Sequence, residues 1–176
     1  MIVIDSQVYR DDLVAMTIVS DNYKAGVLCA KEMMRQKKQA NIVLLTHQAA
    51  KSAVDRINGF LDTIKGNKNY KILASADTQG QIERSLPKVD KIIEEYSNID
   101  VVMALNDPAA MGALAALDSN DERKGVLVYG IDGAPEGKKL IKEGMMTGTA
   151  AQSPKQMADT AINAAYQIFD GKKVPK

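Results

Sequence analysis

Asn106, Asp132 and Gln152 stand at equivalent places in the chain, each after an apolar run and just before a proline that suits a helix start. In the first case Val101-Val102-Met103-Ala104-Leu105 is too short for a globular helix and reads as a buried strand. Asp107-Pro108 then reads as a helix start, with the Asp107 carboxylate capping free N–H groups. Asn106 is left over where the strand ends, at the edge where ligands bind in an open α/β sheet. Gly125 to Ile131 repeats the pattern and runs into Asp132-Gly133 before Pro135-Glu136. The weaker Thr147-Gly148-Thr149-Ala150-Ala151 repeats it once more, ending in Gln152 with Ser153 as cap and Pro154 at the first helical position. Two amides and a carboxylate are hydrogen-bonding groups, and none of them is a nucleophile.

Catalytic alternatives fail on residue types. His47 is the only histidine, and no Gly-x-Ser-x-Gly elbow precedes a helix, so a Ser-His-Asp arrangement has little to draw on. One histidine and one cysteine make no metal cluster. Gly137-Lys138-Lys139 lacks the spacing and hydroxyl of a phosphate loop, and Gly-x-Gly-x-x-Gly is absent. Neither a catalytic residue, a metal nor a cofactor is therefore expected. Cys29 falls on the apolar stripe of a helix and reads as an inert core thiol.

The elements that must carry these residues alternate strictly. Ile2-Val3-Ile4 reads as a strand ending at Asp5-Ser6, a second strand covers about Val14 to Val19, and a helix follows Ser20-Asp21 to about Lys37. Ile42 to Leu45 is a strand with His47 in the loop at its end. Ser52, with Asp55 three residues on, resembles a capping box for a helix to about Ile64, whose core face is Ile57, Phe60, Leu61 and Ile64. Arg56 lies beside that face and can lean over the strand ends. Tyr70 to Ala74 is a strand, Asp77 and Gln79 sit in the following loop, and Ile82 to Tyr96 is a helix. Such alternation predicts an α/β fold: a doubly wound, mostly parallel sheet with helices on both faces and core strands near Val14, Ile42, Ile72, Val101 and Val126. Asp5, His47, Arg56, Asp77, Gln79, Asn106, Asp132 and Gln152 then share one sheet edge. Singly, each has a structural role open to it: Asn106 and Asp132 as turn formers, Gln152 as a solvated loop residue, Arg56 as a surface cation. Together they suit a small polyhydroxylated ligand whose hydroxyls both donate and accept.

The 176 residues fit one domain, and 45% hydrophobic residues suffice for its core. With 23 basic and 22 acidic side chains, the net charge of +1 gives no electrostatic footprint for nucleic acid or an anionic membrane. No run approaches the roughly 18 apolar residues of a spanning helix, and no signal-like segment is present in the chain. The abrupt opening at Met1-Ile2-Val3-Ile4 and the ending just past a helix lead us to expect a chain cut at both ends.

Four segments carry a resemblance: Ser52-Ala53-Val54-Asp55-Arg56-Ile57-Asn58-Gly59-Phe60; Asn106-Asp107-x-x-Ala110-x-Gly112-Ala113; Gly130-Ile131-Asp132-Gly133-x-Pro135-Glu136-Gly137; and Gly148-Thr149-x-Ala151-Gln152-x-Pro154. In this order they resemble the C-terminal lobe of the ribose/galactose-type periplasmic sugar-binding proteins, over nearly the whole chain. The resemblance implies one lobe of a two-lobe fold, with residues 1–13 as hinge strand and connection from a missing N-terminal lobe and 14–176 as the ligand-binding lobe. It implies that Asp5, Arg56, Asn106, Asp132 and Gln152 hydrogen-bond a monosaccharide or related polyol, with Asp5 at the hinge. Ser6, His47, Asp77 and Gln79 are further candidates, whereas Asp21-Asn22 reads as a helix cap. Two positions depart from the family pattern, Ser6 in place of an arginine and a loop Asp77 to Ile82 without an aromatic residue, so the sugar itself stays open.

The function expected is the sugar-binding lobe of an extracytoplasmic receptor, periplasmic or membrane-anchored outside the cell. Its partners would be the membrane subunits of an ABC transporter, with no nucleic acid. The alternative is the effector-binding core of a LacI-type regulator, and a small hydrolase or transferase ranks third. A lone lobe gives a sugar only one wall, so weak binding and scope for self-association through the uncovered surface are expected.

Overall fold

In the computed structural model, which describes residues 1–8, 10–120 and 125–175, the chain forms two parallel sheets of unequal size. β1 (Ile2–Ile4) pairs only with β2 (Met16–Ile18). The larger sheet has five strands in the order β4-β3-β5-β6-β7, all parallel: β3 (Ala40–Thr46), β4 (Tyr70–Asp77), β5 (Val101–Ala104), β6 (Leu127–Asp132) and β7 (Gly148–Ala151). β5 lies at the centre because Val101, Val102, Met103 and Ala104 are fully buried, and a strand covered on both faces needs such an unbroken apolar run.

The expectation of a core strand near Val14 is corrected. Its β-branched residues do form β2, but that strand pairs with β1, and the fifth position of the main sheet belongs to the short β7. Small residues at an edge, Gly148-Thr149-Ala150-Ala151, give a weak hydrophobic signal because only one flank of the strand is paired. Right-handed crossovers place α1 (Asn22–Gln36) and α2 (Lys51–Ile64) on one face. They place α3 (Ile82–Glu95), α4 (Asp107–Ser119) and α5 (Pro135–Lys142) on the other. α6 (Pro154–Phe169) packs on β1 and β2, and its Ile162, Tyr166 and Phe169 are exposed.

Two packing details position the site. The chain winds outward from β3 to β4 and returns across β3 to β5, so helices leave adjacent strand ends on opposite faces and open a crevice there. On the first face α1 and α2 touch backbone to backbone: a Cβ at Gly26 would lie 1.8 Å from the Arg56 carbonyl oxygen, and one at Gly59 would lie 2.0 Å from that of Tyr23. This contact brings the first turn of α1 against the second turn of α2, beside the ends of β5 and β6.

Helix starts differ from expectation at two places. α2 begins at Lys51 after Ala50, which offers no side-chain cap, and Ser52 lies inside the helix. Asp55 is held instead by Lys51 at 2.8 Å, an i,i+4 pair that suits this surface better than a capping box. At α4 the cap is Asn106, whose Oδ1 accepts from the Ala109 N–H at 2.9 Å, and Asp107 is the first helical residue. The extended backbone of Asn106 aims its side chain at the free amides, while Asp107 finds other partners.

Candidate functional site: a buried arginine at the strand ends

Arg56 is 7% exposed, and three of the five N–H groups of its guanidinium have partners. Nε donates to Asn22 Oδ1 at 2.9 Å, and Nη1 donates to the Leu105 carbonyl at 2.9 Å and to Asp132 Oδ1 at 3.1 Å. Nη2 remains without a partner among the described residues. The fixed fork of a guanidinium suits this task, because three partners on three elements hold it in one plane. Asp132 closes β6 with φ 140, a backbone conformation rare outside glycine. Burial pushes its carboxyl above the ordinary range, Arg56 opposes that, and the negative charges of Asp107 and Asp5 add to the rise.

Asn22 is the residue that sequence reasoning assigned to capping alone. Asp21 does the capping, accepting from Lys24 N–H at 2.9 Å, while Asn22 is buried. Its Nδ2 donates to the Ser20 carbonyl at 3.2 Å, which turns Oδ1 toward Arg56 and, at 3.5 Å, toward Gln152 Nε2. Asn22 and Gly26 are four residues apart on the helix face that meets α2, and that spacing is the signal that could have revealed it.

The remaining candidates divide. Gln152 joins the cluster through Asn22, and its N–H donates to the Asp132 carbonyl at 2.9 Å. Asn106 is half-buried; with Oδ1 capping α4 and Nδ2 donating to the Gly80 carbonyl at 3.1 Å, it keeps one free N–H. Asp5 is exposed at φ 73 and, with Ser20, Asn22 and Lys51, lines a cavity of about 240 Å³ beside the cluster. Ser6 lines a separate cavity with Gln7, Val8 and Ala49 to Ser52. Tyr9 lies outside the described residues.

His47, Asp77 and Gln79 form their own group at the ends of β3 and β4. The Asp77 carboxylate accepts from the Gln48 and Gln79 N–H groups at 3.2 and 3.0 Å, and the Gln48 bond is the main reason its pKa is lowered. His47 Nδ1 lies 3.7 Å from Asp77 Oδ1 and makes no hydrogen bond; the ring lines a groove with Leu44, Ile57, Leu61 and Ile72. Among the described residues no hydrogen bond or ion pair links this group to Arg56 or Asp132. The Cys29 thiol is buried and its pKa is pushed up to about 12, mainly by desolvation, so it is a poor nucleophile. Among the described residues no group of three or more His, Cys, Asp or Glu could hold a metal ion. The Arg56–Asp132 pair keeps free edges, a donor at Nη2 and acceptor capacity on the carboxylate, so its chemistry is compatible with hydroxyl groups.

A family model described as a periplasmic binding protein domain matches residues 1–173. The ribose import binding protein of Salmonella typhimurium is 30% identical over 176 residues, which are 99% of this chain and 58% of that protein. This chain thus spans little more than half the length of that relative. The D-allose-binding periplasmic protein of Escherichia coli is 30% identical over 121 residues, covering 68% of this chain and 39% of that protein. Among solved structures, a periplasmic solute-binding protein of an ABC transporter from Actinobacillus succinogenes, with bound D-allose, superposes with a TM-score of 0.92 at 26% identity, covering 99% of this chain and 64% of that one. The fructose-binding periplasmic domain of a hybrid two-component system superposes with a TM-score of 0.91 at 26% identity, covering 99% and 59%.

Proposed function

The chain belongs to the periplasmic binding protein family, and from that premise we propose that it is the sugar-binding part of an extracytoplasmic receptor that delivers a neutral monosaccharide to an ABC transporter, without catalysis. The observation that carries this reading is Arg56, locked among Asn22, Leu105 and Asp132 with Nη2 free at the strand ends. A preorganised, charge-neutral pair loses little on desolvation and can both donate to and accept from a hydroxyl, whereas an anionic sugar would meet the extra negative charge of Asp5. Asp132, Gln152, Asn106 and Asp5 complete the set of sugar contacts. Residues 1–13 carry the hinge, and the β1–β2 pair with α6 forms the side that meets a second lobe. The transporter's membrane subunits are the macromolecular partners, and the working compartment is the periplasm or the outer cell surface. Calorimetric titration of the full-length protein with D-ribose, D-allose and D-fructose tests the reading: saturable binding at about micromolar Kd is expected, and heats that show none for neutral monosaccharides overturn it.

A sensory role for the same site is the second reading, favoured by the likeness to the fructose-binding two-component domain. Copurification of the full-length protein with transporter membrane subunits separates the two.

A further inference from the structure

Asp107 is fully buried, and its two oxygens are spent on the loop after β6 and on strand β7. Oδ2 accepts from the Ala134 N–H at 2.8 Å, and Oδ1 accepts from the Thr149 hydroxyl at 2.6 Å. Thr149 Oγ1 in turn accepts from the Gly133 N–H at 3.1 Å. The carboxylate sits in a cradle cut to its size: a Cβ at Gly130 would lie 2.4 Å from Oδ1, and one at Gly137 would lie 2.6 Å from Oδ2. An acid in the first turn of a helix gains from the dipole without such partners. Here the partners are the two backbone amides that follow Asp132, one bound directly and one through Thr149. Asp132 itself is held at φ 140, a conformation that persists only where its surroundings over-determine it.

We propose that Asp107, with Thr149 as relay, is the positioning residue that clamps residues 133–134 and thereby aims the Asp132 carboxylate at Arg56 and at the ligand. Its link to the ligand rests on the reading of Asp132 as a sugar contact; its link to Asp132 does not. Two measurements on the full-length protein separate these links. The first is structural and needs no sugar. In crystals of Asp107→Ala, which removes both acceptors, Asp132 should leave φ near 140 and lose its bond to Arg56. Should Asp107→Ala fail to fold, Thr149→Val serves, since a β-branched residue suits a strand while removing the hydroxyl. An unmoved Asp132 in the folded variant overturns the proposal.

The second is a double-mutant cycle in D-ribose affinity, or in D-allose affinity if that sugar binds. Thr149→Val should weaken binding about fivefold in the parent, the scale of one hydrogen bond, and should have no further effect in an Asp132→Ala background. Restoring the hydroxyl as Thr149→Ser should restore affinity. An equal loss in both backgrounds, or no loss in the parent, overturns the proposal. If the parent binds no neutral sugar, the functional reading falls while the crystallographic result still decides the role of Asp107.

Discussion

The two halves of the sheet edge use the same kinds of residue for different ends. At β5, β6 and β7, polar side chains bond to one another: Arg56 to Asn22 and Asp132, Asp107 to Thr149. At β3 and β4, the Asp77 carboxylate bonds to backbone amides of two loops, Gln79 in its own and Gln48 in the one after β3, and His47 Nδ1 makes no hydrogen bond among the described residues. Side chains that fix one another across elements hold a rigid polar surface, whereas a carboxylate bound only to backbone amides gives the loops around it their shape. On that contrast we propose Arg56 and Asp132 as ligand contacts, and Asp77 and Gln79 as residues that shape the loops after β3 and β4.

The largest expected effect is at Arg56. Arg56→Ala strips the Leu105 carbonyl and Asp132 of their side-chain donor, leaves Asn22 Oδ1 with only the long bond from Gln152, and should lower the stability of the full-length protein by about 3 kcal/mol in urea unfolding. Asp77→Ala should cost clearly less and leave sugar affinity unchanged; equal losses at the two positions would break the contrast. Next is Asn22→Ala, which removes one acceptor of the buried cation and should cost about 1–2 kcal/mol in stability with a parallel loss of sugar affinity. If stability falls and affinity does not, Asn22 serves packing alone.

Caps give a smaller and sharper test. Asn106→Ala should cost about 1 kcal/mol by thermal unfolding, as expected for an N-cap, while Ser52→Ala should change stability by less than about 0.5 kcal/mol because Ser52 caps nothing. The reverse order would restore the capping box that the sequence suggested.

The smallest effects are in pH. Asp132 has a raised folded pKa, so the native state keeps a proton that the unfolded chain has lost, and its contribution to stability falls as pH rises from the ordinary carboxylate value of 3.8 through the raised one. Asp77, with a lowered pKa, does the opposite: its contribution is present above the ordinary value and is lost as pH falls through the folded one. Asp132→Asn should therefore flatten the decline on the rising side and Asp77→Asn the loss on the acid side, as read from urea midpoints across mildly acidic pH. Cys29 adds an alkaline limb, with stability falling as pH rises from 9.0 to about 12, and Cys29→Ala should remove it.

The sequence made the central sheet legible because Val101 to Leu105 has one physical reading, a short apolar run between turn residues. Asp132 and Gln152 were legible as strand-end residues for the same reason and Arg56 as a helix residue that leans over them, and the structure joins the three through hydrogen bonds, Gln152 by way of Asn22. What stayed hidden depends on partners distant in sequence. Asn22 looks like half of a cap until Arg56, 34 residues on, is packed against it. Asp107 looks like a cap until Thr149, 42 residues on, arrives. The strand near Val14 looked like core because β-branched residues mark a strand but not the sheet it joins. Local chemistry sets an element; which elements meet is a property of the fold.

The most direct test of the central claim is the monosaccharide affinity of Asp132→Ala in the full-length protein, measured by calorimetry beside the parent with the tightest-binding sugar of the panel. A hydrogen-bonding carboxylate at the site predicts a loss of about 1.5–3 kcal/mol, roughly 10- to 150-fold in Kd. An Asp132→Ala protein that is folded and binds as tightly as the parent would contradict the account.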